Sequence, residues 1–154
     1  MAIDFSPAWF LAPLLAATVL YDLRFMRLPN VLALCFVAVF LGSAIGAAEW
    51  TDLLWPVSVA LLVLLGGMAA NAAGFVGGGD VKVTAALLLS VPTDQLLSFA
   101  FLLCCTTFGG IVCLLLLRRA IGRPDSAWKA LRPGERYPLG VSIGSAGLIL
   151  LALG

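Results

Sequence analysis

The stretch GFVGGGDVKV, Gly74 to Val83, lies between two long apolar runs and breaks them with three consecutive glycines, an aspartate and a lysine. Its surroundings explain why that is unusual. The chain has 154 residues, 62% hydrophobic and 11% charged. A soluble domain of this length needs far more polar surface, so the composition reads as an integral membrane protein. Ionisable residues at membrane depth are expensive and mark function. Net charge is +1, too near neutral to imply a nucleic-acid partner. There is no histidine, which excludes HExxH zinc proteolysis and Ser-His or Cys-His nucleophiles. Cys35, Cys104, Cys105 and Cys113 all lie in apolar runs without CxxC spacing and read as small hydrophobes. No metal or cofactor is expected.

Apolar runs occur at 5–21, 31–48, 53–73, 81–92, 96–117 and 138–153. The first lacks a basic flank and carries Asp4, so it is expected to be a retained membrane helix, not a signal peptide. Every lysine and arginine falls after the first run, in the glycine stretch, or between the fifth and sixth runs. With six crossings these positions share one side, and Asp4, Glu49, Asp52 and Asp94 occupy the other. The positive-inside rule makes the basic side cytoplasmic. The expectation is an all-α integral membrane fold with six transmembrane helices, both termini non-cytoplasmic, and a single polytopic domain over 1–154. Asp80 to Asp94 covers about 21 Å of helix against a hydrocarbon core of ~30 Å. The fourth helix is therefore expected to be short, with a start sunk below the cytoplasmic surface.

Two carboxylates stand out on that side: Asp22 in YDLRFMRLPN and Asp80 in GGGDVKV. Taken singly, Asp80 reads as a helix N-cap and Asp22 as an interfacial charge near Arg24. Together they suggest more. Gly77, Gly78 and Gly79 allow positive φ and close approach of an extended peptide. Two carboxylates within hydrogen-bonding reach share one proton, so one acts as base on a water and the other as acid. That scheme needs neither metal nor histidine.

The pattern D-x5-[IL]-P-N, here Asp22 with Leu28-Pro29-Asn30, is followed about fifty residues later by GxGD, here Gly77 to Asp80, and DVK continues it. Pro138-Leu139-Gly140 supplies a late P-x-G. With these motifs the chain resembles the type IV prepilin peptidases over nearly its whole length. The resemblance implies a membrane aspartic endopeptidase of the inner membrane, cleaving basic leader peptides from prepilins at the cytoplasmic face, with Asp22 and Asp80 catalytic. Gly77, Gly78, Gly79, Lys82, Pro29, Asn30, Pro138 and Gly140 would support the site or bind substrate. No paired CxxC cysteines of the methyltransferase-linked domain are present, so the chain resembles the short, peptidase-only members serving tight-adherence (Flp-type) pili. The alternatives are a GxGD peptidase with another membrane substrate, such as preflagellin, and a small helical transporter or assembly subunit with proton-carrying aspartates.

Other features read structurally. Lys82 either orients the dyad or snorkels to the interface. Gly66-Gly67 and Gly109-Gly110 are expected to permit close helix packing, as is the GxxxG of Gly140 and Gly144. Asn71 is expected to border the site. Trp9, Trp50, Trp55 and Trp128 sit near segment ends as interfacial anchors. The basic stretch 118–137 is expected to meet anionic lipid headgroups, and membrane lipids are expected partners.

Overall fold

A computed structural model describes residues 8–44 and 51–153. Among these residues the chain forms six α-helices and no strand: α1 Ala8–Phe25, α2 Asn30–Ala44, α3 Thr51–Ala72, α4 Gly78–Leu88, α5 Leu96–Ile121 and α6 Leu139–Leu153. Short 3-10 turns occupy Thr93–Gln95 and Lys129–Leu131. The readings of Asp4, Glu49 and Trp50, and those of the Trp9 and Asp52 side chains, fall outside the described residues. Two helical stretches are long and apolar enough to cross a membrane, Leu53–Ala72 and Thr93–Ile121. Only 11% and 6% of their most apolar stretches are buried, so their apolar faces point outward, as in helices that meet lipid. Asn30–Ala44 and Leu139–Leu153 are apolar but shorter.

Several boundaries differ from those read in the sequence. Helix α1 continues to Phe25, which places Asp22 inside a helix instead of after one. Helix α5 runs on to Ile121 and carries Arg118 and Arg119 in its last turn. Helix α4 begins at Gly78, so Gly78 and Gly79 form its first turn, and it ends at Leu88. Its 11 residues span about 16 Å. Asp80 is not the N-cap of α4; that position belongs to Gly77, whose backbone is extended at φ −71° and ψ 133°.

The chain divides into two compact units. The first joins the start of α1, up to Leu14, to α2, α3 and α4. Helix α4 is its centre, with Val81, Val83, Ala85, Ala86, Leu87 and Leu88 all buried. Helix α2 offers a buried stripe at spacing four: Leu32, Phe36 and Phe40. Helix α3 meets α4 where Gly67 leaves room for Val81; a β-carbon on Gly67 would lie 2.5 Å from Val81 Cγ1. Gly66 faces open space, so only one of that glycine pair serves packing.

Helix α3 stops by backbone geometry that the sequence encodes. Gly74 adopts φ +82°, the Phe75 amide donates to the Ala70 carbonyl at 3.0 Å, and the Gly74 amide donates to that of Asn71 at 2.9 Å. These are the two bonds of a Schellman cap, which requires a left-handed residue that glycine adopts without steric cost. Asn71 then donates its Nδ2 to the Val76 carbonyl at 2.7 Å, pinning the glycine turn to the helix it leaves.

The second unit comprises α1 from Leu15, the turn to Leu28, α5 from Ser98, and the remainder through α6. Helix α6 approaches α1 through glycine. β-Carbons on Gly144 and Gly147 would lie 2.7 Å from the Leu15 carbonyl and 2.6 Å from Leu15 Cδ2. The GxxxG of Gly140 and Gly144 thus packs within the chain. Gly109 faces open space, whereas Gly110 lies against the Tyr137 hydroxyl.

The basic stretch between α5 and α6 has an internal use for its arginines. Arg118 donates through Nε to the Ala130 carbonyl at 2.7 Å, and through its two terminal nitrogens to Glu135 and Arg136 carbonyls at 2.8 and 3.0 Å. Arg132 Nε donates to the Ser126 carbonyl at 2.9 Å. The planar guanidinium fork suits several carbonyls at once. Arg119, Arg123 and Arg136 stay exposed. Arg118→Lys keeps the charge but loses the fork. It is expected to cost about 1–2 kcal/mol and to speed proteolytic nicking between positions 122 and 137, measured on purified protein against the parent.

Candidate active site

Asp22 is placed by a periodic stripe of α1. Leu11, Leu15, Thr18 and Asp22, spaced four, three and four, are 1%, 1%, 0% and 3% exposed. The first two suit an apolar neighbour; the last two bring polar atoms onto the same face. Helix α1 ends just beyond, where Met26 takes φ +51° and its amide donates to the Asp22 carbonyl at 2.9 Å. A left-handed cap without glycine carries a backbone cost of about 1–2 kcal/mol, which the packing around it must hold. Arg24 is not the partner of Asp22: its guanidinium lies over the Phe25 ring, 5.4 Å from the centroid.

The carboxylate finds its partner in α6. Gly140 donates its backbone amide to Asp22 Oδ2 at 2.6 Å. A helix leaves its first amides without internal acceptors, and a side-chain oxygen at the preceding residue normally serves them. Here that residue is Pro138, which has no such oxygen. Asp22 performs the cap from another helix, and its negative charge suits the positive end of the α6 dipole. Close approach is possible because position 140 is glycine. A β-carbon there would lie 2.7 Å from Asp22 Oδ2 and 2.9 Å from Leu28 Cδ1. The P-x-G motif therefore has a physical reading: proline removes the local cap and glycine admits the remote one.

Tyr137 and Ser142, which sequence reasoning passed over, fix this corner. Their hydroxyls are 2.7 Å apart, Ser142 is fully buried, and Thr106 of α5 donates to the Ser142 carbonyl at 3.1 Å. Burial pushes the Tyr137 phenol above its ordinary value, so it stays protonated, and either hydroxyl of the pair can donate to the other. The available signal was a serine inside an apolar helix two residues past Gly140, with a tyrosine just before Pro138.

Asp80 lies in the first unit, half-buried, as the third residue of α4. Its carboxylate bends back along the helix start: a β-carbon on Gly77 would lie 2.6 Å from Oδ2. Gly78 faces the Asn71 amide, where a β-carbon would lie 3.4 Å from Oδ1. Gly79 completes the first turn. Asn71 thus sits beside the glycine turn, as its position before it suggested. Lys82 donates to Asn30 Oδ1 at 3.1 Å, tying the start of α4 to the start of α2. Pro29, just before α2, accepts the Leu32 amide at 3.1 Å. Among the described residues no group of His, Cys, Asp and Glu side chains could hold a metal ion.

Helices with outward-facing apolar residues, and a carboxylate buried between two of them, fit a helical membrane protein. The chain belongs to the type IV leader peptidase family, whose model matches residues 9–122. It is therefore a membrane-embedded leader peptidase by family, a protease acting on prepilin-like substrates. Pro138, Gly140 and α6 lie beyond the matched segment. No curated protein and no solved structure matches the chain.

The glycine contacts separate neighbouring positions sharply. Gly110→Ala must displace the Tyr137 hydroxyl and is expected to cost about 1–3 kcal/mol. Gly109→Ala meets nothing within 4 Å and is expected to be neutral or to stabilise by up to about 1 kcal/mol through helix propensity. Thermal unfolding of both variants in one detergent decides this; equal destabilisation would contradict the assigned packing.

Proposed function

We propose that the chain is an aspartic endopeptidase in which Asp22 and Asp80 form one acid-base pair. The observation that carries this reading is the burial of Asp22 to 3% with Oδ2 held by the Gly140 amide. In the proposed step one carboxylate accepts a proton from water as its oxygen attacks the scissile carbonyl, and the other, protonated, donates to the carbonyl oxygen. As the gem-diol collapses, the protonated carboxyl gives its proton to the leaving amine and the other carboxylate takes one from a diol hydroxyl, so the pair again shares a single proton. Neither histidine nor metal enters.

The substrates on this reading are Flp-type prepilins with basic leaders, cut at the cytoplasmic face of the bacterial inner membrane. Six crossings, both termini outside, and one functional domain over the whole chain complete the proposal; the one-sided distribution of Lys and Arg supports it. Gly77, Gly78 and Gly79 admit the peptide beside Asp80. Lys82 with Asn30 and Pro29 steadies the start of α4, and Pro138 with Gly140 steadies Asp22.

Asparagine variants separate catalysis from capping. In Asp22→Asn an amide oxygen still accepts from Gly140, so the helix corner is retained while the titrating group is lost. Asp22→Asn and Asp80→Asn are each expected to lower leader cleavage of a co-expressed prepilin by about 10²–10⁴-fold, with membrane insertion and thermal stability close to the parent. Normal processing by either variant would refute the paired assignment.

A further inference from the structure

In the first unit, α2, α3 and α4 leave between them an apolar groove of about 450 Å³. Its walls include Ala33, Ala60, Ala85 and Ala86, where small side chains leave the space open, and one end carries Asn30 and Lys82. Lys82 is the only charged residue of the lining and is exposed, with one of its three donors used on Asn30.

We propose that this groove is a binding site for one acyl chain of an anionic phospholipid, with the phosphate on the Lys82 ammonium and the Asn30 amide. Three features select this occupant. The first is charge: an ammonium at the end of an otherwise apolar slot complements a phosphate, and a basic peptide is disfavoured there. The second is depth. The lining covers positions 30 to 37 of α2 and 82 to 89 of α4, about 10 Å at 1.5 Å per residue. That fits within one leaflet of a ~30 Å core, whereas a spanning helix needs the full thickness. The third is width, because a helix is about 10–12 Å across with its side chains and a groove of this volume holds a thin flexible chain instead. Lipid bound here would meet α4 at Lys82, two residues after Asp80, so headgroup charge would bias the order of that turn. The site does not depend on the acid-base assignment of Asp22 and Asp80.

The test is lipid binding to the purified full chain, followed by native mass spectrometry and by thermal shift, with phosphatidylglycerol and phosphatidylcholine of identical acyl chains. The parent is expected to bind phosphatidylglycerol about tenfold more tightly, a difference of about 1.4 kcal/mol. Lys82→Gln is expected to erase the preference while retaining weak binding of both lipids, and Lys82→Arg to restore it. Ala33→Leu, which fills the groove, is expected to weaken both lipids together; Ala33→Val serves if the larger variant does not fold. Glycerol phosphate without acyl chains is expected to give no shift. Equal binding of the two lipids by the parent, or an unchanged preference in Lys82→Gln, would overturn the proposal and leave the groove to an uncharged apolar segment.

Discussion

The hydrogen bond from the Gly140 amide to Asp22 Oδ2 is the constraint around which the second unit is arranged. A buried carboxylate without donors is costly in apolar surroundings, and so is a buried helix start without acceptors. Each removes the other's cost. The pairing requires two helices in near backbone contact, which glycine at 140, 144 and 147 permits. It also requires a helix whose own preceding residue offers no cap, which Pro138 provides. Tyr137, Ser142 and Thr106 then tie α6 to α5, and Arg118 gathers the intervening chain onto the end of α5.

The first unit handles its acidic residue differently. Asp80 sits in the opening turn of its own helix, where a negative charge is favoured by the dipole, and the glycines before it leave space for the carboxylate to bend back. The turn that presents it is fixed by the Gly74 cap and by Asn71, and the helix is tied to α2 through Lys82 and Asn30. Polar side chains that look out of place in an apolar sequence thus mostly serve to hold backbone where helices begin and end. What distinguishes Asp22 is that it caps a helix other than its own.

Much of this was legible in the sequence. Helix number followed from apolar runs punctuated by polar breaks. The short fourth helix was visible in the closeness of Asp80 and Asp94. Helix ends were less legible, because Asp22 and Arg118 look like loop residues until a neighbouring backbone supplies their partners. Capping between distant segments leaves no local pattern: nothing near Asp22 points to Gly140, 118 positions away. The inward role of Arg118 was hidden for the same reason, since basic residues after an apolar run read first as membrane-surface charges. Glycines within helices were recognised as packing residues, but only coordinates separate Gly67 and Gly110, which contact side chains, from Gly66 and Gly109, which do not.

Convergence of the two carboxylates in the working enzyme is the central claim, and it is open to direct measurement. Asp22→Cys and Asp80→Cys are combined in a chain whose four native cysteines are replaced by alanine, and membranes are treated with dibromobimane, which fluoresces when it bridges two thiols. If the acidic pair shares one proton during catalysis, the double variant becomes fluorescent and each single variant stays dark. Full alkylation of both thiols by a monofunctional maleimide, with no bridged product under the same conditions, would contradict a shared site.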